Sequence, residues 1–139
     1  MYQIYLDAVR AAGYNEGKIA ISKGGCFMEK RGRIIHPKDA RVAMEDQELV
    51  REYVRTDKIT FGVSRLQPGG VGALDPGHAE ADEIFFCAPG HVLCYFPEDD
   101  TYYELEQGDA LVIPPATGHK LFNIGDEPAV VTWSCAPHP

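Results

Sequence analysis

Long apolar runs are missing from this chain. No stretch approaches the roughly 20 apolar residues of a membrane-spanning helix, and Asp7, Arg10, Asn15 and Glu16 break up the first segment, so neither a span nor an export signal is expected. Positive charge is scarce as well. With 13 basic against 21 acidic residues and a formal net charge of -8, the chain lacks the clustered Lys and Arg that nucleic acid or an anionic membrane would need. Cysteine is sparse: Cys26, Cys87, Cys94 and Cys135 form no Cys-x-x-Cys pair, and in a chain expected to be cytoplasmic they are read as reduced thiols, not as a disulfide framework. There is no Gly-x-Ser-x-Gly elbow, no phosphate-cradling glycine loop and no dinucleotide fingerprint, which sets aside serine hydrolase, kinase and dehydrogenase chemistry. The absence of a helix-turn-helix segment argues against a free-standing transcription factor. What remains is a protein whose partner is a small molecule, with no nucleic acid and no membrane.

What the chain does have is rhythm. At 139 residues it is most simply one domain with a substantial core. Residues 2 to 13 predict a short amphipathic helix that stops at Gly13, Arg31 to Ile35 a brief strand, and Glu45 to Arg55 a second short helix or an ordered loop, with Leu49, Val50, Tyr53 and Val54 on one stripe. Lys58 to Leu66 alternates as a half-buried strand, with Ile59, Phe61, Val63 and Arg65 on one face. From there short strands recur every eight to twelve residues, separated by glycine and proline turns: Val71 to Leu74, Glu83 to Cys87, Val92 to Phe96, Tyr102 to Glu106, Ala110 to Ile113, His119 to Asn123 and Ala129 to Ser134. Ala88 to His91 is read as a tight hairpin reversal, and Gln107-Gly108-Asp109 as the turn pairing the strands on either side of it. The expectation is an all-β fold: a single antiparallel barrel over 58–135, with residues 1–57 as an N-terminal extension packing on it.

Two glycine-bounded segments flank one hairpin of this barrel and carry its chemistry. The first contains Gly72, His78, Glu80, Glu83 and Gly90; the second contains Gly108, Pro114, Ala116, His119 and Asn123. They offer His78, Glu80, Glu83 and His119 as four ligand-type side chains from strands distant in sequence, as a metal site built inside a sheet needs. In a strand His78 and Glu80, two apart, share a face, and Glu83 joins them through a bulge. Two nitrogens and two carboxylates make a borderline-to-hard site, suited to a divalent transition metal such as Fe, Mn, Zn or Ni.

The two segments resemble the paired motifs of the cupin superfamily over roughly residues 60 to 135. The second motif fits at Gly108, Pro114, His119 and Asn123, with Ala116 where a glycine is usual; the first fits at Gly72, His78, Glu83 and Gly90. The second histidine of the usual His-x-His pair is absent. Either Glu80 takes its place, or that histidine is deleted and Glu80 is only a neighbour of the motif. The resemblance implies a jelly-roll barrel, a homodimer formed by lending N-terminal strands to a partner, and chemistry of the dioxygenase, isomerase, decarboxylase or lyase kind on a small polar organic molecule. Whichever of Glu80 and Glu83 does not ligate the metal is the candidate general base, with Glu83 the expected catalytic residue. The alternative is a barrel without metal that holds a sugar or other metabolite as a non-catalytic module, and a third reading is a purely structural dimerisation barrel. Cys87 and Cys94 are read as small core hydrophobes. Tyr95, Phe96, Tyr102, Tyr103, Phe122 and Trp133 supply aromatic material for a pocket, half of them turned outward by alternation.

Overall fold

Alternation in the sequence becomes nine strands and one 3-10 turn, Pro37–Asp39, in a computed structural model that describes residues 32–137. The strands are β1 (Arg41–Glu45), β2 (Glu48–Arg55), β3 (Thr60–Leu66), β4 (Asp82–Cys87), β5 (His91–Phe96), β6 (Thr101–Glu106), β7 (Ala110–Ile113), β8 (Lys120–Asn123) and β9 (Ala129–Ala136). They form a six-stranded sheet in the order β1-β2-β3-β9-β4-β7 and a three-stranded sheet in the order β6-β5-β8, antiparallel throughout. This is the jelly roll that the resemblance implies. No described helix is long and apolar enough to cross a membrane. The helix read over residues 2 to 13, Cys26 and His138 lie outside the described residues.

The core lies where the inward faces of the two sheets meet. β4 points Phe85 and Cys87 inward and β5 points Val92, Cys94 and Phe96, while Leu66, Leu105, Ile113, Leu121, Ala129 and Val131 complete the cluster. Burying each such aliphatic or aromatic side chain contributes about 1.5–3 kcal/mol relative to leaving it in water. Cys87 and Cys94 are therefore packing residues, buried and free. Asn123 is buried with them and is fully used: its amide nitrogen donates to the carbonyls of Leu66 (3.1 Å) and Glu127 (2.9 Å), and its oxygen accepts from Gly125 N.

Four local expectations change. β2 is a strand where a helix or ordered loop was expected, because its apolar residues meet neighbours on both faces of the sheet and so do not reveal a period of two. β3 has the opposite phase: Thr60, Gly62, Ser64 and Leu66 face inward, and Phe61 and Val63 face out. The segments at 88–90 and 107–109 are not hairpin turns between paired strands, since β4 pairs with β7 and β9 while β5 pairs with β6 and β8. They carry the chain from one sheet to the other. Residues 32–36 and 73–74 carry no regular structure, and Val71 and Gly72 make only isolated bridges, to Phe122 and Asp46.

Candidate metal centre

Glu83 is the second residue of β4 and faces inward, opposite Cys135 on one side and Ile113 on the other. The residue is 5 % exposed. Two imidazoles converge on a single oxygen of it: His78 Nε2 lies 3.5 Å and His119 Nε2 3.4 Å from Glu83 Oε2. The Cys135 thiol hydrogen-bonds to the carboxyl, yet Oε2 accepts no hydrogen bond.

Both histidines are held by loops, not by a strand. His119 sits just before β8, where Asp75 and His119 exchange backbone hydrogen bonds of 2.9 Å in each direction. Asp75 turns the chain sharply by accepting Gly77 N on its Oδ1 at 2.7 Å. Gly77 then takes a φ of 81°, and a Cβ there would lie 2.6 Å from the Thr117 carbonyl oxygen, so only glycine brings this loop against the 115–118 loop. Ala116 N donates to the His78 carbonyl at 2.7 Å and completes the junction. Ala116 itself has a φ of 56°, a left-handed conformation that explains why glycine is usual there.

His119 is ready to act as a ligand. Its Nδ1 lies 3.0 Å from the Thr117 carbonyl oxygen, which can only accept, so Nδ1 carries the proton and Nε2 presents its lone pair to Glu83. Burial lowers its pKa, with Phe85 edge-on at a centroid distance of 5.2 Å, which favours the neutral ring. Glu83 is pushed the other way: burial first, then the nearby Asp75 charge, raise its carboxyl to about 7. A neutral imidazole lone pair and a carboxylate lone pair thus face each other across 3.4 Å with nothing polar to reconcile them. Such an arrangement calls for a cation between the two groups, a proton or a metal ion.

Of the four residues expected as ligands, His78 and His119 each approach Glu83, although the two imidazoles fall in separate ligand groups. Glu80 does not join them; it lies exposed in a bend between His78 and β4, so the shared-face argument, which needs a strand, has no strand to act on. Asp75 joins instead. His78, Glu83 and Cys135 form one group whose ligand atoms lie within 4.8 Å of one another, and Asp75, Glu83 and His119 form a second. In the sequence Asp75 stands in an Asp-Pro-Gly stretch that marks only a turn, and Cys135 reaches the site through a register with Glu83 that no local pattern reveals.

The cluster forms part of the wall of a cavity of about 190 Å³ whose other walls come from β1, β2, β3, β8 and β9. Thr60, Ser64 and Glu48 give it a polar lining, and Phe85, Leu121 and Trp133 an apolar one. Of the six aromatics expected for a pocket, Trp133 lines it; Phe96 is in the core, and Tyr95 stacks on Tyr102 at 4.5 Å on the other sheet. Glu48 is a second buried carboxyl, 8 % exposed, which burial raises to about 7 against the lowering effect of a hydrogen bond with Ser64. Gly72 makes room for it, because a Cβ at that position would collide with the Glu48 carboxyl.

A two-sheet antiparallel jelly roll with two histidines beside a buried carboxyl on the wall of its cavity defines a small barrel domain. The chain belongs to the cupin family: residues 62–135, just over half of it, match the sequence model of the cupin domain. An uncharacterised protein of Methanocaldococcus jannaschii is 30% identical over 100 residues, covering 68% of this chain and 76% of that protein. The glucose-6-phosphate isomerase of Pyrococcus furiosus is 29% identical over 117 residues, covering 76% of this chain and 61% of the isomerase. Among solved structures, KdgF from Halomonas sp. superposes with a TM-score of 0.64 at 18% identity, covering 78% of this chain and 96% of that one. The polyketide cyclase RemF from Streptomyces resistomycificus gives 0.60 at 14% identity, covering 78% and 81%. At these identities the structural likeness speaks for the fold alone.

Proposed function

We propose that the cavity holds a divalent transition metal, iron, manganese, zinc or nickel, on His78, Glu83 and His119, and that the protein is a metal-dependent cupin enzyme acting on a small polar organic molecule. The observation that carries this is the orphaned, buried Glu83 Oε2 with two imidazole nitrogens at 3.4 and 3.5 Å. Nitrogen and carboxylate donors suit a borderline-to-hard cation. We assign the fourth donor to Asp75, which the structure groups with Glu83 and His119, in preference to the exposed Glu80. When bound, such a cation polarises a carbonyl or hydroxyl oxygen of the substrate.

The chain's own residues supply the rest. Thr117 fixes the tautomer of His119 through Nδ1. The sequence points to Glu83 as the catalytic carboxyl, but as a ligand its lone pairs are engaged, and the buried Glu48 elsewhere in the same cavity becomes the carboxyl suited to moving a proton near neutral pH. Phe85, Leu121 and Trp133 exclude water from their side of the pocket. One sequence relative is named as an isomerase, which is compatible with proton-transfer chemistry at a polarised oxygen. The proposal includes a cytoplasmic location and a homodimer; for the latter, Val42, Met44, Ile84, Phe86 and Val112 lie exposed on the outer face of the six-stranded sheet.

Elemental analysis of protein purified without chelator tests the reading. It predicts about one transition metal per chain in the native protein and a loss of that metal in His119→Ala. A folded protein without metal that still binds a sugar or other metabolite would favour the non-catalytic module instead.

A further inference from the structure

β1 and β2 bring two guanidinium groups to the same cavity. Arg41 and Glu52 are cross-strand partners on the inward face. By alternation Arg55, three residues after Glu52, would point outward. The register shift between Glu52 and Val54 reverses this: Val54 pairs with the outward Phe61, and Arg55 with the inward Thr60. The bulge thus turns a third charged side chain into the pocket.

Glu52 takes the Arg55 fork in a two-point pair, Nε to Oε1 at 3.1 Å and Nη2 to Oε2 at 2.7 Å. Arg41 Nη1 stands 3.9 Å from the same carboxylate, at the limit of an ion pair, with its side chain 74% exposed. One carboxylate therefore serves two guanidiniums, and the pair retains positive charge in a chain whose formal net charge is -8. The guanidinium plane is matched to two-point recognition of carboxylate or phosphate oxygens.

We propose that Arg41 and Arg55 receive the anionic group, carboxylate or phosphate, of a substrate whose hydroxyl or carbonyl end lies at His78, Glu83 and His119. This rests on the metal reading above, since without the cation the carboxylates lining the cavity outnumber the guanidiniums. The site then distinguishes an acid or phosphate ester from the corresponding neutral polyol.

Zinc-loaded protein titrated with gluconate, with glucitol 6-phosphate and with glucitol tests this, because the first two carry a carboxylate or a phosphate where glucitol has a primary alcohol. The chain's single tryptophan, Trp133, lines the cavity, so its emission reports occupancy. At least one anion is expected to bind about 10-fold or more tightly than glucitol, as charge-assisted hydrogen bonds require. The stronger of the two identifies the anionic group. Arg41→Ala and Arg55→Ala are expected to remove that preference with zinc content unchanged, and Arg55→Lys, which keeps the charge but not the fork, to retain part of it. Equal binding of all three probes overturns the proposal. So does an anion preference that survives both alanine variants, which would place the anion on the metal. If the protein takes up none of zinc, manganese, iron or nickel, the metal reading fails separately; arginine-dependent anion binding by the metal-free protein would then support this site, and none would overturn it.

Discussion

β3 and β5 are both short alternating strands with one face turned inward, yet they bury opposite kinds of residue. β5 buries Val92, Cys94 and Phe96 in the core. β3 buries Thr60, Gly62 and Ser64 and leaves Phe61 and Val63 half-buried on the outside of the sheet. The difference arises from what lies opposite: packed side chains for β5, a cavity for most of β3. Alternation reveals which residues share a face. It does not reveal which face is inside, and a ligand cavity reverses the usual answer.

That contrast predicts unequal costs of substitution. Leu121→Ala, in the core at the floor of the cavity, is expected to cost about 2–5 kcal/mol of stability, whereas Ser64→Ala on β3 should cost about 1 kcal/mol, the value of its hydrogen bond with Glu48. Denaturant melts of the two variants check this. Equal losses would mean that the polar wall is as much a packing element as the core.

A second way to sharpen it is by pH. Glu48 has a carboxyl raised by burial from 4.5 to about 7, so the folded state holds this proton more tightly than the unfolded chain. Stability from this group is therefore full below about 4.5, falls as pH rises from 4.5 towards 7, and levels off above that. The loss is up to about 3 kcal/mol at about 1.4 kcal/mol for each pH unit between the two values. Glu48→Gln in metal-free protein is expected to remove about half of the stability lost between pH 5 and pH 8, since Glu83, also raised to about 7, titrates in the same window. An unchanged slope would show that Glu48 is solvated in the folded state.

Much of this architecture was legible in the chain. The strands from β4 onward follow turn residues closely, and His78, Glu83 and His119 could be singled out by motif spacing before any geometry was known. What escaped was non-local. The alternation of β2 was hidden because apolar residues occur on both of its faces, and the assumption of a strand at 78–80 put Glu80 beside His78 when the chain there is a loop organised by the Asp75 turn. Glu48, Cys135 and the arginines of β1 and β2 reach the cavity through sheet register and a bulge, neither of which is written in any short stretch of sequence.

The most direct test of the central claim is anomalous scattering from crystals grown with manganese or zinc. A single peak is expected within bonding distance of His78 Nε2, Glu83 Oε2 and His119 Nε2. A cavity in which those three groups join only through protein hydrogen bonds or water, with the metal absent or bound elsewhere, would contradict it.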